Sequence, residues 1–332
     1  MGIAKYIKEI GRGKDGARAL NREQAADLMG QVLDGTVSDL EIGGFCLAMR
    51  IKGETADEMA GFLDALHARM QLVQAPRPIV VLPSDNGARK LPVLTPLLAA
   101  LLAREGQNAG FDVLMHGCQT EDRRISSQVV FQAVNALFST GNMAELPINI
   151  AQEAIKSIAF NNLQFFPSVA LHSGLQRLLD VRRAVGLRNS AHSLVKLMNP
   201  TTRPDALVVG SYTHPEYLRS MTATLTLTGS HALLLRGTEG ECVADARRMP
   251  QMDGFANRVC TTLQEAHTGS LAVLPDLPRQ IDPATTAQYI HAVLKGDKPI
   301  PAPIARQVEC ILLMLKAASP QPPTVPISCP TI

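Results

Sequence analysis

The stretch PSDNGARK, residues 83–90, has the residue types of a site that holds an anion. A β-branched run, PIVV, precedes it, and an apolar helical pattern, LTPLLAALLA, follows it. A strand, a tight turn and a helix in that order present backbone amides and a helix N-terminus to phosphate. Such turns usually carry several glycines, so that the backbone can close on the ligand. This one has Gly87 alone, after Ser84, Asp85 and Asn86 and before the cations Arg89 and Lys90. Three chemistries stay open for it. Amides could hold a pyrophosphate, Arg89 and Lys90 could meet the phosphates of a nucleic acid, or the turn could be merely solvated.

Other reactive residue types narrow the field. His116 and Gly117 end a second β run, where the histidine has a structural role. His172 and His192 have no serine or cysteine nucleophile signature beside them, which argues against covalent catalysis. Six cysteines are scattered without a CxxC pair, so no metal site is expected. Reduced thiols, and a start MGIAKY without a secretory pattern, give the expectation of a cytoplasmic protein. No apolar run is long enough to span a membrane. The formal net charge of the 332-residue chain is only +2, so a polyanion site requires local clustering of cations.

The elements that must position these residues fall into two patterns. Through residue 75 the chain is helical: REQAADLMGQVLDG, then SDLEIGGFCLAMRIKG, capped by Ser38 with Glu41 three residues on, then ETADEMAGFLDALHARMQL. From residue 76 to 318, β runs (IVVL, FDVLMHG, ALVVG, HALLLRG) alternate with helices such as LPVLTPLLAALLAREG and SSQVVFQAVNALF. That alternation predicts an α/β domain with a central, mostly parallel sheet. Helices near 165–200 are expected to pack with the N-terminal helices. Residues 319–332, rich in proline, are expected to be a disordered tail.

LDGTVSDLEIGGFCLAMRIKGETADEMAGF resembles the N-terminal helical domain of anthranilate phosphoribosyltransferases, a family that includes pyrimidine nucleoside phosphorylases. RRAVGLRNSAHSLVKLMNP, VLMHGCQ and LLLRGTEGECVAD resemble three further family motifs. The resemblance spans roughly residues 1–315. It implies a small helical domain, a larger α/β domain, phosphoribosyl pyrophosphate bound between them, and a homodimer through the helical domains. The departures from the motifs bear on activity. The family's G-T-G-G-D loop is replaced by SDNGARK, and its K-H-G-N-R by Met115-His116-Gly117-Cys118-Gln119. Cys242 and Val243 align with the acidic pair that would hold magnesium, with Glu239 and Glu241 nearby. Expelled pyrophosphate needs a hard cation held by carboxylates. The residues Ser84, Asp85, Asn86, Gly87, His116 and Gly117 are therefore expected to form a degenerate substrate site, with no cofactor. Magnesium enters only if the chain is an active transferase with an altered site.

Basic residues gather elsewhere. Between positions 168 and 203, Arg177, Arg182, Arg183, Arg188, Lys196 and Arg203 face one acid, Asp180. In the first twenty residues Lys5, Lys8, Arg12, Lys14 and Arg18 face Glu9 and Asp15. Together with IKEIGRGKDGARAL, NGARK, GLRNSAHSLVKL, HPEY and RGTEGE, this pattern resembles the YbiB-type branch of the family. The resemblance implies a non-enzymatic homodimer that binds DNA and RNA, mainly through phosphates. The expected contacts are Lys5, Lys8, Arg12, Lys14, Arg18, Arg89, Lys90, Arg182, Arg183, Arg188 and Lys196.

Overall fold

The computed structural model describes residues 2–140 and 153–318. The expected tail at 319–332 lies outside them. Helices α1 (Ala4–Ile10), α2 (Gly13–Gly16), α3 (Arg22–Leu33), α4 (Asp39–Lys52) and α5 (Ala56–His67) come first. There follow β1 (Ile79–Pro83), α6 (Thr95–Ala109), β2 (Asp112–Gly117), α7 (Ser127–Thr140), β3 (Ile155–Lys156) and β4 (Leu163–Pro167). Helices α8 (Ser168–Leu171), α9 (Ser173–Val185) and α10 (Ala191–Leu194) lead to β5 (Leu207–Tyr212), α11 (Pro215–Thr228) and β6 (Ala232–Arg236). The described chain closes with β7 (Met252–Ala256), β8 (Val259–Gln264), α12 (Pro283–Lys295) and α13 (Ala302–Ala318).

The N-terminal helices start where side chains can satisfy free amides. Asn21, Ser38 and Thr55 each accept from the backbone three residues on, while Gln24, Glu41 and Glu58 reach back to close a capping box. Phe45 and Phe62 meet edge to face, with ring centroids 5.9 Å apart, in the core beneath these helices. Leu175, Leu178 and Leu179 of α9 and Leu194 of α10 enter the same core. The helices of 168–198 thus belong physically with the N-terminal bundle, although a long stretch of α/β chain intervenes. On α4, by contrast, Leu40, Leu47 and Ile51 lie along one exposed stripe, 87%, 43% and 69% accessible.

The described strands form one sheet in the order β3-β4-β2-β1-β5-β6-β7-β8. β4, β2, β1, β5 and β6 run parallel, and the outer strands β3, β7 and β8 run antiparallel to their neighbours. The parallel strands are largely apolar because both faces are covered. Val80, Leu82, Val113, Met115, Leu207 and Val209 enter the core under α6, α7, α12 and α13. Val81, Leu114 and Val208 point the opposite way. The loops after β1, β2, β5 and β6 therefore gather at the C-terminal edge of the sheet, where folds of this kind place ligands. No helix among the described residues is long and apolar enough to cross a membrane.

Candidate functional site

The loop after β1 turns a run of backbone amides inward, and two of the chain's own carboxylates accept from them. Residues 84–88 are buried, and Gly87 takes φ +61. A Cβ there would lie 2.5 Å from the Ile125 carbonyl oxygen, so glycine is required by both backbone and space. The amides of Asn86 and Gly87 donate to Glu241 Oε1 at 3.0 and 2.7 Å. Thr95 Oγ1 and Ser127 Oγ reach Glu241 Oε2 at 2.8 and 3.0 Å, joined there by Ser84 Oγ. Five donors thus converge on one buried carboxylate. Glu239, two residues earlier, accepts from the amides of Arg89, Lys90 and Leu91 at 3.2, 2.9 and 3.0 Å. Consecutive amides of this kind are what phosphate loops offer to phosphate.

The turn at 238–241 is itself held tightly. Glu239 has φ +52 and Gly240 has φ +91. Asn86 Nδ2 donates to the Glu239 carbonyl at 2.8 Å, and Lys196 Nζ donates to the Gly240 carbonyl at 2.7 Å. A Cβ on Gly240 would fall 1.7 Å from Asn86 Nδ2, which explains the glycine. Cys242 and Val243, which follow, are fully buried and apolar in role.

Behind the loop lies a second buried group. Asp85 Oδ1 accepts from Ser168 Oγ at 3.0 Å and from the Cys118 thiol at 3.6 Å. Asp85 Oδ2 and both ring nitrogens of His116 have no hydrogen-bond partner among the described residues. His116 Nδ1 lies 3.8 Å from Asp85 Oδ2, a distance that would suit an ion pair. Burial overrides it: the imidazole is pushed down to about 3 and is neutral. Burial, with Glu241 nearby, pushes the Asp85 carboxyl up to about 7. Gly117 is fixed by the Ser84 carbonyl, which a Cβ would approach to 2.1 Å.

These donors do not suit magnesium. The lone pairs of Glu239 and Glu241 point at N–H and O–H groups, and no described cluster of three His, Cys, Asp or Glu residues could hold a metal.

The expected basic contacts do not share one environment. Several are neutralised within the chain. Arg12 meets Glu9 at 2.6 Å, Lys5 meets Asp27 at 3.7 Å, and Arg182 meets Glu121 at 2.7 Å. Arg183 pairs with Asp122 and Asp180. The excess of positive charge counted along 168–203 is therefore offset in part by the loop after β2. Lys196 is not a surface group at all. It is 8% exposed, and it donates to Ser211 O, Ser211 Oγ and Gly240 O. Burial, then Arg188, pulls its ammonium down to about 8.

Four of the expected cations are free. Lys8, Arg18, Arg89 and Lys90 are exposed and form no ion pair among the described residues. Lys14 lies in α2. Arg188 lines a cleft of about 550 Å³ between the helical bundle and the sheet, together with Arg50, His192, Lys196, His214 and Tyr217. No described carboxylate pairs with Arg188, and burial, reinforced by Arg182 and Arg124, pulls its guanidinium down to about 10. Arg50, at the cleft rim, donates to Tyr217 Oη at 2.9 Å. Arg50 and Tyr217 lie outside the expected site, and the end of a helix so far before Arg188 gives no local sign of this meeting.

Residues 4–70 match the helical bundle domain of a glycosyl transferase family. The chain is 26% identical to the anthranilate phosphoribosyltransferase of Methanopyrus kandleri over 90% of this chain and 84% of that one. Among solved structures, the anthranilate phosphoribosyltransferase of Thermus thermophilus superposes with a TM-score of 0.63 at 21% identity, covering 94% of this chain and 87% of that one. The Saccharomyces cerevisiae enzyme in complex with PRPP and Mg gives 0.65 at 13% identity, covering 95% and 89%. The chain is also 38% identical to YbiB of Escherichia coli strain K12, an uncharacterized protein, over 317 residues and 94% of each chain. Identity at that level along nearly the full length of both chains decides the family: the chain belongs to the YbiB-type branch of the anthranilate phosphoribosyltransferase-like proteins.

Proposed function

We propose that this protein is a homodimer that binds nucleic acid with little sequence preference, on a transferase fold that has lost its reaction. The observation that carries the reading is Glu241. A diphosphate entering the loop after β1 would meet a carboxylate already bound by five donors, and like charges cannot share that space. The half of the site that would neutralise a leaving pyrophosphate is thus closed, and the neighbouring carboxylates are committed to amides rather than to magnesium.

Positive charge is available on the exposed surface. Lys8, Arg18, Arg50, Arg89, Lys90 and Arg123 are exposed without ion-pair partners among the described residues. Such groups suit a phosphate backbone, which is recognised by charge and spacing rather than by base. Base stacking has little support, since aromatic residues make up 4% of the chain. The exposed Leu40, Leu47 and Ile51 stripe on α4 supports a dimer through the helical bundles. Pairing would present two copies of the basic surface to one strand and raise affinity without new contacts.

The test is fluorescence anisotropy with labelled random DNA and RNA oligonucleotides across a salt range of about 50 to 200 mM. With about four phosphate contacts, log affinity should fall with log salt at a slope near −3 to −4. K8E/R18E and R89E/K90E should each weaken binding to all sequences alike. A flat salt response, or no binding at low salt, refutes the reading. Micromolar binding of phosphoribosyl pyrophosphate with magnesium, followed by turnover with anthranilate, would replace it with an active phosphoribosyltransferase.

A further inference from the structure

We propose that Glu121 and Asp122, in the loop after β2, mask a cluster of arginines and are exchanged for nucleic-acid phosphates when a strand binds. The inference rests on the nucleic-acid reading and adds where the strand docks and what restrains it. The two acids are consecutive, and so are two of their partners. Glu121 Oε2 accepts from Arg182 Nη2 at 2.7 Å and from Arg124 Nε at 2.9 Å. Asp122 accepts from Arg183 Nη1, while Arg183 Nη2 donates to the Gln119 carbonyl at 2.8 Å. Arg182 and Arg183 lie in the last turn of α9, so the fold sets that turn against a loop 61 residues earlier in the chain.

Further arginines surround the same acids. Burial opposes ionisation of Glu121, yet Arg182, Arg124 and Arg89 hold its carboxyl below the usual range. Arg188 is close enough to Arg182, Arg124 and Glu121 for all three to act on its charge. Neither Arg89 nor Arg188 has an ion pair of its own among the described residues. Arg182 Nη1 has no hydrogen-bond partner among them either, so a donor is left for a further acceptor. Asp180 and Glu239 reach the edge of the cluster only at 3.5 Å.

The acids can leave without unfolding the loop, because its ends are pinned elsewhere. Thr120 Oγ1 donates to the Asp85 carbonyl at 3.1 Å, and Ile125 and Ala88 exchange backbone hydrogen bonds at 2.8 and 3.0 Å. The Asp122 side chain is 80% exposed and that of Arg183 is 41% exposed. Such a solvated pair contributes little to stability, so side-chain rotation is enough to release it. A phosphate then offers the freed guanidinium fork a charge-assisted acceptor of the same kind.

The experiment is fluorescence anisotropy with a labelled random DNA oligonucleotide from about 50 to 200 mM salt. E121Q/D122N removes the masking charges and keeps the side-chain shapes. E265Q/D297N makes the same change of charge at two exposed acids that have no ion pair among the described residues. E121Q/D122N should raise affinity at least about tenfold and steepen the log–log salt slope by about 1 to 2, the contribution of one or two added phosphate contacts. E265Q/D297N should gain less than about threefold, without a change of slope. Adding R182Q/R183Q to E121Q/D122N should cancel the gain. D122N alone, at an exposed side chain, should fold and gain about threefold, and it decides the question if the double variant does not fold. Unchanged affinity, or a gain no larger than that of E265Q/D297N, overturns the inference and leaves the nucleic-acid reading standing. No binding at low salt by either the unsubstituted protein or E121Q/D122N overturns both. Binding by E121Q/D122N alone supports the mask in its strongest form.

Discussion

Asp85→Asn should stabilise the protein, and by an amount that grows with pH. Asp85 is 4% exposed, one of its oxygens has no hydrogen-bond partner among the described residues, and burial raises its carboxyl from an ordinary 3.8 to about 7. Between those two values the folded protein keeps a proton that the unfolded chain has released. Stability must then fall as pH rises through that window, because the native state binds more protons than the unfolded one. At about 1.4 kcal/mol per tenfold change in proton affinity, the full loss is roughly 4 kcal/mol. Asparagine copies the protonated form. Its oxygen can accept from Ser168, and its amide can face the unpaired Nδ1 of neutral His116. Urea denaturation of both proteins at pH 4, 5.5 and 7.5 measures the difference, and all three lie below the value of about 8 for Lys196. The two should be close at pH 4 and separate in favour of the variant by about 2–4 kcal/mol at pH 7.5. A difference independent of pH, or one that favours aspartate at pH 7.5, would refute the account of a carboxyl held neutral by its surroundings.

Lys196 gives the opposite slope: its ammonium is depressed from 10.5 to about 8, so stability should rise as pH passes from 8 towards 10.5, and K196M should lose that rise in the same denaturation assay. Arg188→Gln removes a half-buried charge that has no ion-pair partner among the described residues, so Tm should stay level or increase, by the equivalent of about 1 kcal/mol, while oligonucleotide affinity drops several-fold in anisotropy. A large fall in Tm would reveal an ion pair that the geometry does not contain. Ile51→Glu on the exposed α4 stripe should leave monomer stability within about 0.5 kcal/mol and convert dimer to monomer in analytical ultracentrifugation.

What the sequence could show depended on how far apart the interacting residues lie. The caps of α4 and the parallel strands from IVVL, FDVLMHG, ALVVG and HALLLRG are local signals: a Ser38–Glu41 box, or a short apolar run covered on both faces. β3 has two residues, β8 is mostly exposed and mixed in character, and β4 and β7 each carry polar residues, so none of them gave such a run. Charge was harder still. Arg182 and Arg183 sit in a stretch poor in acids, yet their partners Glu121 and Asp122 arrive from 61 residues away. Lys196 had a usable clue, since Leu194, Val195, Leu197 and Met198 around it are all buried. Glu241 had none. It stands near the positions of a missing acidic pair, and only the fold brings it into the loop after β1.

That last meeting has a consequence for how the molecule assembles and opens. Glu241 is 155 residues from Asn86 and 154 from Gly87, so their bonds cannot form while β1 and its loop are the only structure made. Closing a loop of that span is entropically costly, and the turn that supplies Glu241 follows β6, which pairs with β5, which in turn pairs with β1. In the folded protein the amides of residues 86, 87 and 89–91 act as a clock for the seam between distant parts of the chain. Their hydrogen exchange should report the lifting of a single turn, at a free energy below that of the amides in β1.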